Sequence, residues 1–152
     1  MNEIALKGKQ RVVLIVIALG WSINVFAHNQ IGTLGDPASA TDFYMVQCST
    51  DSGGVTGRLY TQILDGTTTA GGGKISVVSE FNGDNIIDAT TASAPVRDGQ
   101  NGPASILPGA DGIFLMFVHK LKEGVKDYNV TYHCQSSEGV HTGTSIQTIQ
   151  DQ

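Results

Sequence analysis

The sequence predicts an all-β protein: a single antiparallel β-sandwich, immunoglobulin-like or Greek-key, closed by one disulfide and preceded by a cleaved signal peptide. Three observations predict it. Short runs rich in Val, Ile, Tyr, Phe and Thr alternate with clusters of Gly, Asp, Asn and Pro, the pattern of a sandwich or barrel. Nothing after residue 27 carries a helical period. Cys48 and Cys134 stand far apart in a chain that begins with an export signal. In an oxidising compartment such a pair is expected to form a disulfide.

The export signal is read from Lys7, Lys9 and Arg11, followed by the apolar run Val12 to Leu19 and a weaker continuation to Ala27. Val25-Phe26-Ala27 presents the small-residue pattern of a cleavage site. The run is short against the about 20 residues of a membrane span. The expected division is a signal peptide over 1–27, a flexible polar segment over 28–41 and the sandwich over 42–152. Processing would make His28 the first residue. It would also leave six basic against thirteen acidic side chains, a net charge of −7. An acidic surface excludes nucleic acid and anionic lipid as partners, since both require basic patches. No later segment has the length of a membrane span. The expected location is the periplasm or the extracellular space.

Strands are expected over Asp42–Cys48, Gly57–Leu64, Lys74–Phe81, Asn85–Ala89, Gly112–Lys120, Asp127–Cys134 and Thr142–Ile149. Ser93–Arg97 is a candidate edge strand, because Pro95 lacks the donor an interior strand needs. Gly112–Lys120 is apolar on both faces, which marks an interior strand. Cys48 shares a face with Tyr44 and Val46, and Cys134 with Val130 and Tyr132. Both sulfurs are therefore expected in the core, with the bridge running between strands. By the same alternation Asn129, Thr131 and His133 face the other way.

Tyr132, two residues before Cys134, resembles the tyrosine-corner residue of immunoglobulin-like domains, although no tryptophan lies between the cysteines. Gly112–Cys134 is similar to the last two strands of bacterial prepeptidase C-terminal β-sandwich domains. These likenesses imply a sandwich and assign no family.

No G-x-S-x-G elbow, H-E-x-x-H helix or C-x-x-C pair is present. Gly71-Gly72-Gly73-Lys74 lacks the first glycine and the final Ser or Thr of a phosphate loop, and reads as a turn. Asp84, Asn85 and Asp88 likewise read as turn formers rather than a calcium loop.

The histidines carry the chemistry. As a terminal residue, His28 would offer its amine, of pKa about 7.7–8.0, and its imidazole to one metal ion, and nitrogen ligands in a tetragonal arrangement suit Cu(II). His141, between Gly139 and Gly143, is the expected second ligand. Glu138 is a candidate oxygen donor, His133 an alternative ligand, and His119 the least suited. In this respect the chain is similar to the small periplasmic copper-binding proteins of bacterial copper resistance. Those also begin with histidine and carry a second one near the C-terminus. Their acidic residue lies nearer that histidine than Glu138 lies to His141, and their fold needs no disulfide. Copper monooxygenases acting on polysaccharide share the terminal histidine but have features absent here, so the resemblance implies carriage rather than oxidation.

Two functional expectations follow. The first is a non-enzymatic exported module with a binding, structural or surface-assembly role. Its partners would be other proteins or further copies of itself, engaged through strand edges or an apolar face around Phe114, Met116 and Phe117. The second is a copper-binding protein that uses the mature His28.

Overall fold

The computed structural model describes residues 28–68, 71–83, 86–94 and 99–152. The expected leader, and with it the cleavage signal, lies outside the described residues, as do Asp84, Asn85 and the Pro95–Asp98 stretch.

The described residues form nine strands: β1 (His28–Leu34), β2 (Thr41–Ser49), β3 (Arg58–Asp65), β4 (Ile75–Gly83), β5 (Ile86–Ala94), β6 (Ser105–Pro108), β7 (Gly112–Lys120), β8 (Lys126–Gln135) and β9 (Gly143–Gln150). One sheet has the order β1-β8-β3-β6 and the other β5-β4-β7-β2-β9, with every pairing antiparallel. Strands 1, 8, 3, 6 facing 5, 4, 7, 2 make a jelly roll, two Greek keys folded into a sandwich, with β9 added at an edge. Of the two topologies expected from sequence, the Greek-key one is present. No helix among the described residues is long and apolar enough to cross a membrane.

Period-two alternation builds the core between the sheets. On β2 the inward row is Asp42, Tyr44, Val46 and Cys48; on β3 it is Leu59, Thr61, Ile63 and Asp65. β7 lies between β4 and β2, as an interior strand should. Its inward residues Phe114, Met116 and Val118 are fully buried, so Phe114 and Met116 are core and not a contact face. Phe117 is half-buried on the outer side, stacked on Phe43 with ring centroids 4.5 Å apart.

Covalent and polar ties join the sheets. At one end Cys48 of β2 is bonded to Cys134 of β8, with Cα atoms 5.5 Å apart. Towards the other end the Tyr44 and Tyr128 hydroxyls lie 2.6 Å apart. Tyr128 donates to the Asp42 carboxylate, which also accepts from the Gln152 backbone N–H at 2.7 Å. Gly32, opposite Tyr128 on β1, has to be glycine here, because a Cβ would sit 2.2 Å from the Tyr128 hydroxyl oxygen.

Two buried cations hold loops. The Lys120 ammonium donates to the carbonyls of Gly35, Asp36 and Gly124, which fixes the β1–β2 connection against the β7–β8 turn. Lys126 pairs with Asp65 at 2.5 Å, and both side chains are almost wholly buried. The glycine turn before β4 covers that pair. Gly72 has φ +66°, and a Cβ there would meet the Lys126 stem at 2.4 Å. The run that superficially suggests a phosphate loop is thus a backbone lid over a lysine.

The boundaries of the sequence reading need three corrections. The polar segment expected to be flexible contains β1, which pairs over its whole length with β8, so the sandwich begins upstream of Asp42. β5 is one strand over Ile86–Ala94 instead of two pieces, and it forms the edge beside β4. β6, four residues ending in Pro108, was not anticipated.

Candidate metal centre

Three elements bring their histidines to one place at the disulfide end of the sandwich. His28 opens β1, where its Cα partner is Tyr132. His133 lies on β8, between Tyr132 and Cys134, with Tyr60 of β3 as its Cα partner. Its pleat position is opposite to that of Cys134, as the alternation requires, yet it is only 7 % exposed, because the other two imidazoles and Tyr60 pack over it. Its ring centroid lies 6.3 Å from that of His28, 5.6 Å from that of His141 and 5.7 Å from that of Tyr60.

His141 arrives by a tight turn. Ser136 N–H donates to the Val140 carbonyl, Gly139 N–H to the Ser136 carbonyl and Thr142 N–H to the Cys134 carbonyl. Gly139 takes φ +87°, a left-handed conformation suited to glycine. The turn sets His141 beside Gln135 in an isolated bridge. The β2–β3 loop backs it closely: a Cβ on Gly53 would fall 1.8 Å from the His141 carbonyl oxygen.

The imidazoles of His28 and His141 are stacked, with centroids 5.1 Å apart and planes 22° apart, and His28 Nδ1 lies 3.2 Å from His141 Nε2. One nitrogen from each of the three histidines lies within 4.8 Å of the others. Nitrogens bound to a single ion at about 2.0–2.1 Å sit about 3–4 Å apart, so the cluster needs little adjustment to share one ion. His133 Nδ1 is buried without a hydrogen-bond partner, and a buried polar atom left unpaired is costly unless something fills it.

The electrostatics favour ligand forms. Burial, and secondarily His141 and His28, lower the His133 pKa to about 4. Burial and then His141 lower that of His28. Both rings are therefore neutral at physiological pH, the state in which imidazole binds metal. Tyr132 walls the site beside His28, with centroids 5.7 Å apart.

The sequence-predicted residues divide clearly. His28, His141 and His133 converge. Glu138, expected as an oxygen donor, is exposed, accepts a hydrogen bond from the Ser137 hydroxyl and is not in the group. His119 lies on β7, paired with Thr41 and Ser76, and is not in the group either. Tyr60, Tyr132 and Gly53 were not singled out as site residues. Tyr60 could have been found only from the β3–β8 register, which sequence does not specify.

The fold and the cluster together define a disulfide-bridged jelly roll with a three-imidazole centre at one end. No family model matches the chain, and no curated protein matches it. Among solved structures it is similar to the crystal structure of Yersinia pseudotuberculosis-derived mitogen (YPM). The TM-score is 0.50 and the identity 10 %, over 84 % of this chain and 98 % of that one. At that identity the likeness is one of fold.

Proposed function

We propose that this is an exported, non-enzymatic β-sandwich module that binds copper, with His28, His133 and His141 as its ligands. The observation that carries the reading is the convergence of three imidazoles, one of them with a buried, unpaired nitrogen. Imidazole ligands suit zinc, copper, iron and nickel alike, and two features favour copper. The nitrogen His28 turns toward His141 is Nδ1, the ring nitrogen near enough to its own backbone to share an ion with the terminal amine. Adding that amine after processing makes a four-nitrogen set, the donor type of Cu(II), which also heads the affinity order for divalent ions. Both cysteines are committed to the disulfide, so thiolate plays no part. The role we assign to the bound ion is carriage or buffering.

Titrating the processed protein with Cu(II) against a chelator of known affinity tests this. One ion per chain is expected. His133→Ala and His141→Ala should each weaken binding by about 100-fold or more, since even outer partners of ligands contribute 10–100-fold. Binding untouched by both substitutions would refute the reading.

A further inference from the structure

We infer that the metal is a strap that locks the edge strand β1 onto the sandwich, so that loading converts a fraying strand end into a fixed one. The inference rests on the metal reading above and goes beyond it. β1 is held unequally along its length. At its far end Leu34 is fully buried, the Thr33 hydroxyl donates to Asp127 at 2.7 Å, Gly35 N–H donates to the Gln152 carbonyl, and Lys120 grips the Gly35 carbonyl. At its first end no residue is fully buried: Asn29 and Ile31 are exposed, Ile31 by 72 %, and His28, Gln30 and Gly32 are half-buried.

Beyond the ladder to β8, this first end is tied by the Thr131 hydroxyl donating to the exposed Asn29 side chain, by His28 Nδ1 at 3.2 Å from His141 Nε2, by the Gln30 side chain at the Tyr44 hydroxyl, and by the ring contacts of His28. Edge strands with little burial open locally at low cost. An ion held by His28 would tie this end to His133, inside β8, and to His141, on the turn leaving it. A ligand that binds only the closed form stabilises that form by mass action. The strand it fixes is the one that covers the pairing edge of β8, so the strap also governs access to an edge that can recruit foreign strands.

Hydrogen exchange read by mass spectrometry decides the matter, on the chain processed to begin at His28, metal-free and with one equivalent of Cu(II). Zn(II) serves as a redox-silent second probe, and intact mass reports occupancy. Loading should slow exchange in the peptide covering 28–34 at least tenfold, with the interior strand 112–120 unchanged, and His141→Ala should remove the gain. Full occupancy with unchanged exchange over 28–34 would overturn the strap and leave the metal site standing. So would protection that survives His141→Ala. Absence of binding would overturn the strap and the metal reading together.

Discussion

Replacing both Cys48 and Cys134 by alanine is expected to lower the unfolding free energy by about 4–5 kcal/mol, from chain entropy over a large closed loop. The bridge spans a sequence separation of 86 residues and joins β2 of one sheet to β8 of the other. Everything from β3 to β7 lies inside that loop. Domains of this size are stable by about 5–15 kcal/mol, so the loss is a large share of the total. Urea unfolding of the oxidised protein and the double variant measures it. A difference below about 1 kcal/mol would mean that the unfolded chain is already compact around these strands.

Asp65→Ala is expected to cost about 3–5 kcal/mol, the usual result of leaving one member of a buried pair without its partner. The Lys126 ammonium would remain almost wholly buried, beneath Gly72. Burial alone would raise the Asp65 pKa. Hydrogen bonds from Lys126 and Thr67, with the Lys126 charge, outweigh it and hold the carboxyl below the usual range. The sign of the pH effect follows. A carboxyl lowered in the folded state contributes stability above its unfolded pKa, about 3.9, and loses it as pH falls through the folded value. Asp65→Asn should therefore flatten the acid limb of the stability curve as well as lower its plateau. Asp65→Leu combined with Lys126→Met should recover much of the loss, because an apolar pair carries no desolvation cost.

Much of this architecture is legible in the sequence because a buried strand face must alternate. The phases of Cys48 with Tyr44 and Val46, and of Cys134 with Val130 and Tyr132, placed both sulfurs in the core, where they are bonded. β7 could be read as interior from its two apolar faces. β1 could not, since its inward row carries His28, Gln30 and Gly32 ahead of Leu34, where a pattern would need apolar residues. β6 is too short to show a period. Asp42, Asp65, Lys120 and Lys126 are polar residues at inward positions, and only their partners explain them: Tyr128 and the Gln152 N–H for Asp42, each other for Asp65 and Lys126, and loop carbonyls for Lys120.

The candidate site was half legible. His28 and His141 stood out through position, the one at an expected new terminus and the other in a glycine-bounded turn. His133 was rightly phased away from Cys134, but its burial depends on Tyr60 and on the turn returning His141. Glu138 looked suitable through nearness in sequence, but its carboxylate bonds to Ser137.

Electron paramagnetic resonance of Cu(II) bound to the chain beginning at His28 separates a terminal-amine copper site from any other, with a control carrying one additional residue ahead of His28. A tetragonal, nitrogen-rich signal is expected, disrupted by the additional residue and altered by His141→Ala. A signal indifferent to both changes, or no ordered signal at all, would contradict the copper reading.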